Sequence, residues 1–255
     1  MTHGGDSFGL VRLDPGRDGA TVGVDLRSDG VLPIRQVIGI GRNYAAHAEE
    51  QGAPVPERPL VFTKNAAACC LSGDEILIPA ACAERDQVDY EGELAVVIGW
   101  AGRDLPESGA LGEGGPVLGY TVANDVSARW WQKQGSGGQF FRGKSFDGFC
   151  PVGPAVVPRA AVADPGSMTL ETSLNGERVQ HARTDRMMFG VGALIAELSR
   201  GMTLVPGTLI LTGTPAGVGM ASDPPRFLRP GDEVRVSISG VGEITNRFAA
   251  ATTGA

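Results

Sequence analysis

The sequence predicts an α+β, β-rich protein. Three observations lead there: 38 glycines and 17 prolines cut the 255-residue chain into short segments, several segments alternate apolar and polar residues, and few carry a helical pattern. Residues 1–33 read as a short hairpin-like extension turning at Asp14-Pro15-Gly16. Residues 34–255 read as one further domain, since no repeat, low-complexity block or linker divides them. A helix is expected over 44–51, capped by Asn43 and stopped by Gly52 and Pro54. Strands follow at 75–78, 93–98 and 117–123. Residues 169–174 alternate through Leu170, Thr172 and Leu174 and run into Asn175-Gly176, a dipeptide suited to a two-residue hairpin turn. A second helix is expected over 191–199, ended by Gly201, and then strands at 208–211 and 233–238. The last leaves a Pro230-Gly231-Asp232 turn with Val234, Val236 and Ile238 on one face. Tight turns join neighbours in sequence, so the sheet is expected to be antiparallel.

The formal net charge of −7, with no basic run, argues against a general nucleic-acid or membrane-surface partner and points to a small molecule. No apolar run reaches the length of a membrane span, and the opening MTHGGDSFG has neither the basic nor the apolar part of a signal peptide. A cytoplasmic protein is the expectation. Cys69, Cys70, Cys82 and Cys150 lack C-x-x-C spacing and read as reduced structural thiols.

Residues 138–145 spell G-x-x-x-x-G-K-S, the string of a phosphate-binding loop. That loop needs a preceding strand, a permissive backbone and a helix opening after the lysine. Here the variable positions are Gln139, Phe140, Phe141 and Arg142, and a helix after Ser145 would soon meet Gly148, Pro151 and Gly153. A nucleotide site is not expected. Lys144 therefore calls for another role or is a solvated lysine at a turn.

In DYEGELAVVIGW, Glu91 and Glu93 are two apart on an expected strand, so both project from the face that continues with Ala95 and Val97. Burying unpaired carboxylates in an apolar stripe is costly, so a positive group is expected there. Asp125 ends another apolar run. Three such oxygens suit a hard divalent cation, Mg²⁺ before Ca²⁺ or Mn²⁺, although a solvated strand edge and an Asp turn would leave the same pattern. In NYAAHAEEQG, His47 and Glu50 share a helix face. Glu50 could hold the imidazole as a general base, or His47 could be a solvated surface residue.

The ordered segments IGIGRNYAAHAEE, RPLVFTKN, DYEGELAVVIG, GYTVANDVSARWWQ, FRGKSFDGFCPVGP, LSRGMTLVPGTLILTGTPAGVG and PGDEVRVSISGVGEITNRF resemble the fumarylacetoacetate hydrolase family, over about residues 34–248. GRNY is especially similar to its short acylpyruvate hydrolase and oxaloacetate decarboxylase members. The resemblance implies a mixed β-roll, a homodimer, and Mg²⁺ or Mn²⁺ on Glu91, Glu93 and Asp125. It makes Lys144 a contact for a substrate oxyanion and His47 with Glu50 a catalytic dyad on a closing segment. Lys64, Arg129, Gln132 and Thr214 become substrate-binding or orienting groups.

That resemblance implies a metal-dependent hydrolase that cleaves a C–C bond in an acylpyruvate through a stabilised pyruvate enolate. The same site suits an oxaloacetate decarboxylase or a 2-hydroxy-dienoate isomerase. A non-catalytic metal-dependent binding protein is the alternative from another class. Three departures from the family's pattern carry expectations: Trp130 reshapes the pocket toward an apolar substrate tail, Ala46 loosens the loop bearing the base, and the Cys69-Cys70 pair puts the family's usual substrate in doubt.

Overall fold

The computed structural model of the chain describes residues 7–251. The first six residues of the expected extension lie outside the described residues, as do the last four of the chain.

Among the described residues, strands form a ten-stranded sheet, a five-stranded sheet and a short two-stranded ladder. Gly92–Ile98 lies centrally in the large sheet, antiparallel to Val117–Asn124 on one side and to Thr208–Leu211 on the other. Thr208–Leu211 continues in parallel to Gln36–Gly41, which is followed by the edge strand Leu60–Lys64. In the other direction Val117–Asn124 meets Cys150–Pro158, which carries Phe8–Arg12 antiparallel and Cys69–Leu71 in parallel.

Both faces of Gly92–Ile98 are buried. Leu94, Val96 and Ile98 enter the larger core, together with Leu170, Val236 and Phe248 of the five-stranded sheet and Leu194 of the helix Val191–Ser199. Ala95 and Val97 enter a second core with Val22, Val37, Leu209 and Cys150. Val22 and Val37 belong to strands far apart in the sheet order, so the sheet curls around this second core. Apolar burial on both faces explains why the strand reads as nearly continuous hydrophobic sequence.

The strands Glu75–Ile78, Thr169–Leu174, Thr208–Leu211 and Glu233–Ile238 have the expected bounds. Asn175 and Gly176 take positive φ, +53° and +83°, as the expected hairpin turn requires. Phe8–Arg12 and Val22–Asp25 form the early hairpin, joined by the one-turn helix Pro15–Asp18, and Phe8–Arg12 also ties this segment to the large sheet.

Two expectations are corrected. The sheet is mixed, because Thr208–Leu211, Cys69–Leu71 and Glu75–Ile78 each find a parallel partner far away in sequence. Turn chemistry reports only pairing between neighbours. The helix expected over 44–51 is Ala45–Glu50, and its N-cap position is Tyr44 rather than Asn43. Asn43 is fully buried; its amide donates to Phe189 O (2.9 Å) and Thr212 O (2.7 Å) and accepts from Phe189 N (2.9 Å). Satisfying a buried amide across three segments outweighs a local cap.

Candidate metal centre and active-site cavity

Sheet register brings the carboxylates together. Asn124 pairs with Gly92, so Asp125, just beyond one strand, lies beside Glu91, just before the other. Asp125 N donates to Glu91 O (2.8 Å), and Glu91 N donates to Asn124 Oδ1 (2.9 Å). Glu93 lies two residues into the same segment. One oxygen from each of Glu91, Glu93 and Asp125 falls within 4.8 Å of the others, and all three residues are buried.

Their partners are unequal. Glu91 accepts from Arg129 Nη1 (2.6 Å) and Lys144 Nζ (2.8 Å). Asp125 accepts from both Lys64 and Lys144. Glu93 accepts from Gly213 N (2.6 Å), where φ is +101°, and has no cationic partner among the described residues. Burial pushes the Glu93 carboxyl well above its ordinary pKa, and repulsion from Asp125 and Glu91 pushes the same way. Burial acts likewise on Glu91, but Lys144 and Arg129 outweigh it and hold that carboxyl far below its usual value. Asp89, fully buried, binds Arg129 Nε (2.9 Å) and the backbone N–H of Gly219 (2.8 Å).

Asp89, Glu91, Glu93 and Asp125 thus face Lys64, Arg129 and Lys144, four carboxylates against three cations. Glu93 is the carboxylate left without a cation, and its raised pKa favours the protonated form until a cation takes the proton's place. These residues fit a divalent cation: the donors are hard oxygens, one carboxylate lacks a counter-ion, and a carboxylate oxygen can accept from lysine and still offer a second lone pair.

Lys144 ends the helix Phe140–Lys144, which packs on Arg129–Lys133. Gly143 permits this contact, since a Cβ there would lie 2.4 Å from Gln132 N. The helix therefore comes before the lysine, opposite to a phosphate loop. The three ammonium hydrogens go to Glu91, Asp125 and Ser127. Burial alone would lower the Lys144 pKa, but Asp125 and Glu91 raise it, so its charge persists. ATP at fixed free Mg²⁺ is expected to give no saturable thermal shift; a shift abolished by Lys144→Ala would overturn that expectation.

His47 is buried, at 3 % exposure, rather than solvated. Its Nδ1 lies 3.2 Å from Glu50 Oε2, and its Nε2 lies 2.8 Å from Gln51 Nε2. An ionised Glu50 requires Nδ1 to donate, which leaves the Nε2 lone pair to accept from Gln51. Glu50 Oε1 also accepts from Gly217 N (2.8 Å), tying this helix to the loop after Thr208–Leu211.

A cavity of about 290 Å³ is lined by Glu91, Glu93, His47, Lys144, Gln132 and Thr214 together. Lys64 and Arg129 do not line it. Their donors hold Asp125, Asp89 and Glu91, so they orient carboxylates from behind. Thr214 lines the cavity, yet its hydroxyl hydrogen goes to Gly92 O (3.0 Å) while it accepts from Gln180 (2.8 Å), leaving none for a substrate oxygen in this arrangement. Trp130 does not line the cavity either; it packs edge-on against Trp131 and under the Arg85 guanidinium. Cys69 and Cys150 pair in register within the second core, while Cys70 contacts Gly148 O, so the cysteine pair does not shape the pocket. Ala46 faces solvent.

Asp89 and Gln51 join the site without belonging to any of the motifs above, although spacing hints at both. Asp89 extends the alternation of Glu91 and Glu93 by one step, and Gln51 is four residues after His47 on the helix. Arg42, Lys133, Phe62 and Phe140 also line the cavity, and no local pattern marks them.

A family model described as fumarylacetoacetate (FAA) hydrolase C-terminal matches residues 36–249. The chain belongs to the fumarylacetoacetate hydrolase family. Within this family of enzymes it is 46 % identical over 211 residues to oxaloacetate tautomerase fahd2, mitochondrial, of Xenopus laevis, covering 83 % of this chain. That alignment spans 64 % of the relative's length, just under two thirds. Oxaloacetate tautomerase YisK of Bacillus subtilis is 42 % identical, over 85 % of this chain and 70 % of its own. Among solved structures, fumarylpyruvate hydrolase from Pseudomonas aeruginosa, in complex with Mn²⁺ and pyruvate, superposes with a TM-score of 0.76 at 32 % identity, covering 89 % of this chain and 94 % of that one. The strand-rich, mixed and curled architecture agrees with the family's β-roll.

Proposed function

We propose that this protein is a divalent-metal-dependent enzyme that interconverts the keto and enol forms of an oxaloacetate-like 2-oxo acid. The observation that carries the reading is one cavity holding a buried carboxylate without a counter-ion, the Lys144 charge and the His47–Glu50 dyad. The names of the relatives with 42–46 % identity agree with it.

The hard donor set suits Mg²⁺ or Mn²⁺. When bound, the cation would supply Lewis-acid polarisation of the 2-oxo group and neutralise substrate charge. His47 Nε2, once Gln51 moves aside, takes the proton from C3. The C–H electron pair becomes a C2=C3 double bond, and negative charge passes to the 2-oxo oxygen. Transfer of that proton from the His47 imidazolium to the oxygen, directly or through water, gives the enol and restores the base, and the reverse transfers restore the keto form. Glu50 fixes the Nδ1–H tautomer and favours the imidazolium that forms. Lys144 acts through its charge, which counts for more in a buried site than in water, because its hydrogens are already engaged.

Hydrolysis of an acylpyruvate is the second reading. It is favoured by the same dyad, which suits activating water, and by the likeness to fumarylpyruvate hydrolase. The decay of enol-oxaloacetate absorbance should accelerate with Mg²⁺ or Mn²⁺ and stop with chelator. Metal-dependent release of pyruvate from an acylpyruvate, without that acceleration, would favour the second reading. No metal-dependent turnover of either compound would sink both.

A further inference from the structure

Two further cations line the cavity, and neither the carboxylate cluster nor the mechanism uses them. Arg42 follows the strand Gln36–Gly41, and Lys133 ends the helix Arg129–Lys133. Among the described residues, neither side chain has a carboxylate partner, whereas Lys144, in the same cavity, has two. Two like charges lining one cavity repel each other, and an anion bound between them would relieve that repulsion. They are close enough to feel each other: burial, then Arg129 and Arg42, lower the Lys133 pKa.

Arg42 is also held in a costly backbone conformation. Its φ is +55°, uncommon for a residue other than glycine, and the neighbouring Asn43 anchors the turn with three hydrogen bonds. Phe62 and Phe140, with ring centroids 5.5 Å apart, also line the cavity, and the Lys144 ammonium lies 4.8 Å from the Phe62 centroid. The cavity therefore combines a cluster that suits the 2-oxo acid end of a substrate, apolar rings, and a cation pair not engaged with that cluster.

We infer that Arg42 and Lys133 bind a second, distal carboxylate, so that the site prefers 2-oxo dicarboxylates to 2-oxo acids whose far end is uncharged. The inference rests on the proposed 2-oxo acid chemistry and adds the residues that select for the distal carboxylate. A charge-assisted contact to the half-buried Arg42 corresponds to about tenfold in affinity, and one to the exposed, solvent-screened Lys133 to about two- to fivefold.

The test compares oxaloacetate with its 4-methyl ester, which keeps the 2-oxo acid end and masks the distal charge. Lys133→Met alters an exposed side chain, and Arg42→Asn keeps a residue that tolerates positive φ. Arg42→Asn should raise KM for oxaloacetate about tenfold and Lys133→Met about two- to fivefold, with kcat changed less than KM, and both should leave KM for the ester nearly unchanged. Equal KM changes on both compounds, or none on either, would overturn the subsite. Thermal shifts of the Mg²⁺-loaded protein separate the two layers of the claim. If the parent turns over neither compound yet is stabilised more by oxaloacetate than by the ester, and both variants remove that difference, the subsite stands and the catalytic reading falls. Equal stabilisation by both compounds would overturn the subsite itself.

Discussion

Glu93→Gln is expected to abolish metal-dependent turnover and remove most of the thermal stabilisation that Mg²⁺ or Mn²⁺ confers. Glu93 is the one carboxylate of the three without a cationic partner, so a cation gains most from it. Loss of an outer-sphere partner alone costs a metal site roughly ten- to hundredfold in affinity, and loss of a ligand should cost at least the upper figure. At about a hundred times the parent's Kd, binding stabilises by about 2.7 kcal/mol; a hundredfold weaker variant would keep about 0.4 kcal/mol at the same concentration. The metal-free proteins should differ in the opposite sense. The folded pKa of Glu93 is raised, so between the ordinary carboxylate value and that raised value the folded state binds more protons than the unfolded state, and stability falls as pH rises. Glutamine carries no such charge. Metal-free Glu93→Gln should therefore gain stability over the metal-free parent as pH rises through that window, and metal affinity of the parent should rise over the same window. Calorimetric titration and melting curves at several pH values check both; parent-like metal affinity in the variant would remove Glu93 from the centre.

His47→Ala is expected to lower tautomerisation of oxaloacetate by roughly two to four orders of magnitude, the usual contribution of a positioned general base. The metal-dependent thermal shift should persist, because His47 bonds to Glu50 and Gln51 and to none of the three carboxylates. Acylpyruvate hydrolysis, if present, should fall equally. Decarboxylation of oxaloacetate breaks C3–C4 without proton abstraction from C3, so any such activity should be less affected. Measuring these rates in one preparation separates loss of the base from loss of the fold, and an unchanged tautomerisation rate would leave His47 a buried structural residue.

Local chemistry made several parts of this molecule legible before any coordinates. The bounds of Thr169–Leu174 and Glu233–Ile238 agree because alternation and the Asn175-Gly176 and Pro230-Gly231-Asp232 turns act within a few residues. The two-residue spacing of Glu91 and Glu93 fixed their common face, and the three-residue spacing of His47 and Glu50 placed their side chains in reach. The ordered family segments carried the architecture as a resemblance, covering the parallel pairings that local patterns could not show.

What joins Asp125 to Glu91, however, is the register Asn124↔Gly92, and what sets Lys64 behind Asp125 is a chain of pairings from Leu60–Lys64 through Gln36–Gly41 and Thr208–Leu211 to Gly92–Ile98. The donor state of Thr214, the withdrawal of Trp130 from the cavity and the exposure of Arg42 and Lys133 to it depend on the same long-range order. By itself the sequence determined which residues could carry charge, turn the chain or share a face, since these are properties of a few consecutive residues. The tertiary structure alone decided which charges meet and which remain unpaired, because burial over two whole sheets, rather than any local preference, selects strand order and register.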